Sequence, residues 1–320
     1  MEVVKVTLLF VVWYTLCGAY NVYNGKAKKD LVDEEGMMMP YTMACAQLIV
    51  GLFYAIPLWF SGARKPPTMQ PKDMLTILPI ALVNTVGHWA MVVAMCTKGG
   101  GSFTHVIKAA EPVVSVLLSL LIFGASSFPT PIAALSLIPI TYGVAYASTL
   151  GNFGDIRGAL TTVAAGMAML SNVSFALRSI LKKGLPDDFK TRTGLDAANE
   201  HCVTTLTSLV LLTPPALLAE GQEMASWFAS ASPARIASAQ WNVGICGMSW
   251  YLYNELQNIV LSMLGPVSTA VGNTLKRVAI FVGMYIFDEE ERDFPREKVV
   301  GCAIAVTGCL AYAVCSKKKW

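Results

Sequence analysis

Residues 74–96 read MLTILPIALVNTVGHWAMVVAMC, a run without a single Asp, Glu, Lys or Arg. A bilayer core takes about 20 apolar residues per helical span, and this stretch is long enough to cross one. Runs of the same length and character recur outward from it in both directions. The expected spans are 3–23, 39–60, 74–96, 102–123, 131–150, 158–181, 201–218, 243–264, 267–287 and 299–315. Proline, glycine and charge clusters mark the joints, among them Gly62-Ala63-Arg64-Lys65-Pro66-Pro67, Gly99-Gly100-Gly101, and residues 126–130 and 288–296. Charged residues make up 14% of the chain, against about 25% for a soluble domain, and nearly all of them sit in the joints. The expected fold is an all-α membrane protein of ten transmembrane helices, with the whole of 1–320 forming one transmembrane domain.

Composition also excludes several classes. A net charge of +3, with no solvated basic patch interleaved with aromatics, does not suit nucleic acid. The eight cysteines lie in or beside apolar runs, with no C-x-x-C pair and no histidine cluster. They read as packing residues, and neither metal nor cofactor is expected. The first run is read as a true span, not a cleaved signal peptide.

An even number of spans puts both termini on one side. Eleven Lys/Arg fall on that side: Lys5, Arg64, Lys65, Lys72, Lys182, Lys183, Lys190, Arg192 and Lys317 to Lys319. Nine fall opposite, which places the termini inside, on the cytosolic side. The chain also echoes itself. The first span ends on Asn21-Val22-Tyr23-Asn24 before Lys28-Lys29, and the sixth on Ser174-Phe175-Ala176-Leu177-Arg178 before Lys182-Lys183. The fourth and ninth spans each carry a lysine about two turns in, Lys108 and Lys276. Five spans per half give the halves, 1–150 and 151–320, opposite orientation, so two inverted five-helix repeats are expected, with a site at the midplane between them.

Six charges remain inside the spans: Lys108, Glu111, Arg178, Glu255, Lys276 and Arg277. Each costs about 2.5–3.5 kcal/mol to insert. Pairing accounts for part of the set. Lys108 and Glu111, three residues apart, suit one another; Arg178, about one turn from its span's end, suits the interface; Glu255 suits Lys276 or Arg277. At least one positive charge is left over, and an anionic ligand is the sharper account. A phosphate ester carries roughly two negative charges at neutral pH and several acceptor oxygens, which lysine meets as a point charge and arginine as a two-pronged fork. His88 and Tyr253 are hydrogen-bonding candidates inside their spans. His105, near the mouth of the fourth span, reads as structural; Asn273, one turn before Arg277, and Asn172 read as interhelical glue. Pro112 is expected to kink the fourth span beside Glu111.

These residues resemble the plastid phosphate translocators of the drug/metabolite transporter superfamily. The segments that carry the resemblance are Ser102-Phe103-Thr104-His105-Val106-Ile107-Lys108-Ala109-Ala110-Glu111-Pro112, Leu252-Tyr253-Asn254 and Ala270-Val271-Gly272-Asn273-Thr274-Leu275-Lys276-Arg277. Asn21-Val22-Tyr23-Asn24 and the run from Ser171 to Arg178 match as well, so the resemblance covers essentially the whole chain in order. It implies a carrier that exchanges inorganic phosphate for phosphorylated C3 metabolites (triose phosphate, 3-phosphoglycerate, phosphoenolpyruvate) across a plastid envelope membrane. It implies phosphate binding by Lys108, Lys276 and Arg277, with His88 and Tyr253 as hydrogen-bonding partners. Glu111, Arg178, Glu255, Asn273 and His105 are then supporting or gating residues. Two departures stand out. Met91 replaces a small polar residue, and the loop at Gly99-Gly100-Gly101 is one residue longer.

The partners expected are inorganic phosphate, small phosphorylated metabolites and the lipid bilayer, with the protein a monomer or homodimer. The alternative is a nucleotide-sugar transporter of the same superfamily, which needs room and stacking for a base. A membrane enzyme ranks lower, because no nucleophile–base grouping or metal-binding carboxylate pair is visible.

Overall fold

The computed structural model describes residues 2–32, 38–97, 104, 107–108, 110–124, 129–149, 163–265, 269, 271–273, 275–276, 279 and 296–315. Among them the architecture is helical throughout, with one isolated bridge between Val32 and Met38. The helices are α1 (Glu2–Asp30), α2 (Pro40–Phe60), α3 (Met74–Cys96), α4 (Glu111–Phe123), α5 (Pro131–Thr149), α6 (Val163–Lys183), α7 (Asp187–Thr193), α8 (Ala197–Ser230), α9 (Pro233–Leu264) and α10 (Arg296–Cys315). A 3-10 turn, Pro71–Asp73, leads into α3. Most of the expected ninth span lies outside the described residues; within it Thr269, Val271 to Asn273, Leu275, Lys276 and Ala279 are helical.

Among the described residues, four segments are long and apolar enough to cross a membrane: Pro40–Phe60, Pro71–Cys96, Val163–Lys183 and Ala197–Ser230. Their outward faces carry large apolar side chains, such as Phe53, Phe60, Leu75 and Leu218, with Leu218 89% exposed. That is the inverse of a water-soluble surface, and lipid is the solvent that suits it. Inside, Trp13, Tyr20, Leu48 and Tyr251 form the buried core around α1, α2 and α9.

Two differences from the expected spans have physical causes. The seventh and eighth spans run past their apolar stretches, because residues 219–230 are rich in helix formers and Ser232 with Pro233 restarts the chain as a new helix. The extra turns cap other helices. Glu220 on α8 accepts from the backbone amides of Tyr41 and Thr42, 2.9 and 2.7 Å, at the positive start of α2. Arg235 on α9 donates to the carbonyls of Asp30 and Val32, 3.1 and 2.8 Å, at the end of α1. The short helix α7 was not expected. Asp196 then caps α8 by accepting from the Asn199 amide, 2.7 Å.

Helix pairing sets up the centre. α1 packs along α9, α3 along α6, and α5 along α10, while α2 lies against both α8 and α9. Gly143 on α5 faces the Ala305 amide and Gly301 carbonyl of α10; a Cβ there would stand 2.5 and 2.6 Å from those atoms. Such backbone-to-backbone approach is what small residues permit in lipid, where packing substitutes for the hydrophobic effect. At the other crossing a Cβ on Gly247 would lie 2.7 Å from Cβ of Val50.

Candidate functional site

A cavity of about 40 Å³ lies at the middle of the bundle, lined from α1 (Cys17, Tyr20, Asn21), α3 (Met91), α6 (Phe175, Arg178), α9 (Tyr253, Asn254, Gln257) and the fourth and ninth segments (Lys108, Glu111, Asn273, Lys276). Three cations and one carboxylate are among these residues. On α6 the side chains at 171, 175 and 178 recur at helical spacing, so one face of this helix carries both of its lining residues, Phe175 and Arg178.

Lys108 is 3% exposed. Its ammonium donates to Ser171 Oγ at 3.0 Å and Asn172 Oδ1 at 3.5 Å. Ser171 passes its own hydroxyl proton to the Gly87 carbonyl, 2.9 Å, and Asn172 Nδ2 donates to the Ile107 carbonyl, 2.7 Å. Asn172 thus ties α6 to the backbone beside Lys108. The Phe175 ring lies between two cations, 5.0 Å from Lys108 Nζ and 4.7 Å from Arg178 Cζ. Its quadrupole attracts both and eases their mutual repulsion.

Arg178 is 2% exposed. Of the interface and interior positions open to it, Arg178 takes the interior, packed between α6 and α3. Its Nη1 donates to Asn84 Oδ1 at 2.8 Å, and Asn84 in turn donates to Ser208 Oγ at 2.9 Å. Among the described residues the Nε of Arg178 has no hydrogen-bond partner, and neither has Oδ1 of Asn273. A buried guanidinium N–H without an acceptor is costly unless a ligand completes it.

Lys276 rests over two rings, 4.9 Å from the centre of Tyr253 and 5.8 Å from that of Trp13. Tyr253 packs edge-on against Tyr20, ring centres 5.5 Å apart. Glu111 accepts from Asn273 Nδ2 at 2.8 Å, a bond between the fourth and ninth segments. Tyr14 on α1 donates to the Gly272 carbonyl at 3.1 Å and helps hold that ninth segment in place.

Two expected site residues sit elsewhere. His88 is buried with its Nε2 3.2 Å from the Ala44 carbonyl and its ring 4.4 Å from that of Trp250. It faces α2 and α9, and the α3 side chain that lines the cavity is Met91. Glu255 does not pair with Lys276. Arg64, in the turn after α2, grips it with two bonds, Nη2 to Oε1 at 2.6 Å and Nη1 to Oε2 at 3.1 Å. Tyr253, Asn254 and Gln257 take the cavity-facing stripe of α9, and Glu255 points away from it. Arg277 and His105 lie outside the described residues. Phe175, Trp13, Ser171 and Gln257 were not anticipated. An aromatic one turn before a buried arginine was the available signal for Phe175.

A helical bundle with an apolar exterior and a cationic cavity at its centre has the build of a membrane protein that handles a small anion. The chain belongs to the Triose-phosphate Transporter family, whose profile matches residues 4–313. It is 31% identical over 313 residues to the phosphoenolpyruvate/phosphate translocator 1, chloroplastic, of Oryza sativa subsp. japonica, covering 97% of this chain and 72% of that protein. It is 32% identical over 318 residues to the glucose-6-phosphate/phosphate translocator 1, chloroplastic, of Arabidopsis thaliana, covering 97% and 74%. A protein solved by crystallography shares the fold at 14% identity, with a TM-score of 0.60 over 98% of this chain and 97% of the other.

Proposed function

We propose that this protein is an antiporter that exchanges inorganic phosphate for phosphorylated C3 metabolites, with Lys108, Lys276 and Arg277 clamping the phosphate. Triose phosphate, 3-phosphoglycerate and phosphoenolpyruvate are the substrates proposed. The observation that carries this reading is the central cavity, where Lys108, Arg178 and Lys276 face a single carboxylate. Counted over the described lining residues, three cations against one carboxylate suit the roughly two negative charges of a phosphate group. Arg178 Nε supplies a donor for a phosphate oxygen, and Asn273 Oδ1 an acceptor for a hydroxyl. Tyr253 holds the Lys276 ammonium over its ring.

The same charge surplus gives a reason for strict exchange. Closing both ends of the carrier around an empty cavity holds three cationic side chains close together beside one carboxylate, and a bound dianion lowers the cost of that crowding. The loaded carrier then changes sides freely, and the empty one does not. Inorganic phosphate suffices because the clamp grips the group that all the substrates share.

Size bears on the substrate only in order. A water needs about 10–15 Å³ of such volume, so the 40 Å³ cavity takes about three waters. A C3 phosphate has more heavy atoms than that, so its entry requires the lining side chains to move apart, and a nucleotide sugar requires them to move much further. Helix pairing supports ten spans in two inverted repeats, 1–150 and 151–320. Exchanging span one for six, three for eight, and five for ten turns the pairs α1–α9 and α3–α6 into each other and the pair α5–α10 into itself. The proposed setting is a plastid envelope membrane, as in the chloroplastic relatives, with both termini on the cytosolic side.

Phosphate-loaded proteoliposomes challenged with a panel of C3, C5 and C6 phosphates test the proposal. Labelled phosphate should leave only when a counter-substrate is outside, and fastest for C3 compounds. Efflux into substrate-free buffer at the same rate, or a preference for nucleotide sugars, would sink it.

A further inference from the structure

A second cavity, of about 780 Å³, opens at the end of the bundle formed by the turn after α2, the end of α6, α7 and the start of α8. It is strongly basic, lined by Arg64, Lys65, Lys182, Lys183 and Lys190. Its carboxylates are Asp187, Asp196 and Glu200. Lys190 stands 3.7 Å from Asp187, Lys182 stands 3.3 Å from Glu200, and Arg64 is taken by Glu255. Lys65 and Lys183, both exposed, make no ion pair with a described carboxylate. A further group in this wall is Asn258, 3% exposed, whose carboxamide oxygen and nitrogen both lack a hydrogen-bond partner among the described residues. A buried amide with four unmet hydrogen-bonding sites at the edge of a cationic cavity points to a polar occupant.

The two cavities are consecutive along the same helix faces. On α6, Phe175 and Arg178 line the central cavity and Lys182 lines the outer one; the three share one stripe. On α9, Asn254 and Gln257 line the centre, and Asn258 and Leu261 the outer cavity, again on one stripe. Four residues of helix rise about 6 Å, so the cation at 182 stands one turn outside the cation at 178. No residue lines both cavities, and the turn between them separates the two.

We propose that the outer cavity is a second anion site, in which Lys65, Lys183 and the Asn258 amide hold a phosphate monoester one helical turn outside the central cavity. This rests on the phosphate reading of the central site and adds a station before it. A cationic funnel raises the local concentration of an anionic ligand and its rate of entry. With the outer site filled, the next substrate waits beside Arg178 when the carrier reopens. Free phosphate and an anionic lipid headgroup share the chemistry that this site recognises.

The test is equilibrium binding of labelled inorganic phosphate to the full chain in nanodiscs of phosphatidylcholine. Two classes of site are expected. Lys276→Ala should remove the tighter class alone. Lys65→Gln/Lys183→Gln should weaken the other alone, about tenfold, the loss that accompanies one charge-assisted hydrogen bond. Asn258→Leu should act like that double variant, and if the buried change prevents folding the exposed lysines carry the test. Competition by glycerol 3-phosphate marks a free phosphate ester as the occupant, and competition by phosphatidic acid alone marks a headgroup. A single class abolished by Lys276→Ala overturns the outer site. A tighter class that survives Lys276→Ala overturns the central clamp and leaves the outer site standing.

Discussion

Lys108 and Lys276 reach the same cavity from walls of different construction. Lys108 belongs to the first half and is held by the second, through Ser171, Asn172 and Phe175 on α6. Its ammonium sits among directed oxygen acceptors that are themselves fixed to backbone carbonyls. Lys276 belongs to the second half and lies over the rings of Trp13 and Tyr253. Ring faces attract a cation without fixing its direction, whereas hydrogen bonds fix both. Among the described contacts, one lysine is thus met by oxygen acceptors and the other by ring faces. The difference teaches that a shared charge does not imply a shared job.

Substitutions can break that contrast. The largest effect is expected from Lys276→Ala, which should abolish phosphate exchange in proteoliposomes while the protein folds normally; exchange at the normal rate would refute the role. Lys108→Met should also abolish exchange, but with lower thermal stability, because Asn172 Oδ1 loses a donor in a buried place at about 1–3 kcal/mol. Equal stability for the two variants would erase the contrast between the two walls. Tyr253→Leu should raise KM for phosphate by about thirtyfold, since a desolvated cation–π contact contributes about 2 kcal/mol, while Tyr253→Phe should keep most of the affinity. A Phe variant as poor as Leu would transfer the role from the ring to the hydroxyl. Ser171→Ala should raise KM only a few-fold, as the loss of one of the described acceptors of Lys108. The smallest effect belongs to Asp73→Asn. It breaks a two-bond strap from Arg192 (2.8 and 3.1 Å) that ties the entry to α3 to α7, and should lower thermal stability slightly with exchange unchanged.

The sequence told these regions apart unevenly. Residues 74–96 coincide with α3 because an uncharged apolar run bounded by polar residues leaves a helix no other ends. The limits of α8 and α9 were not legible, because hydropathy marks where a helix meets lipid and says nothing of how far it continues beyond. In the site, Lys108, Lys276 and Glu111 could be found as charges without an apolar excuse. For Arg178 the sequence left both the interface and the interior open, and the packing of α3 against α6, which only the fold reveals, buries it. The Glu255–Arg64 pair was out of reach for a similar reason: its members are 191 residues apart, and Arg64 reads as an ordinary loop cation. His88 sits against the Ala44 carbonyl and the Trp250 ring, a placement that hydropathy alone does not tell from one at the cavity.

The contact at Gly143 and Gly308 gives the pair α5 and α10 a mechanical character of its own. Gly308 meets Ile140, with a hypothetical Cβ 2.8 and 2.9 Å from its side chain and backbone nitrogen, within a turn of the crossing at Ala305. Two rods touching backbone to backbone at successive points resist both sliding and spreading. They form a stiff post, and Val271 of the ninth segment packs against it.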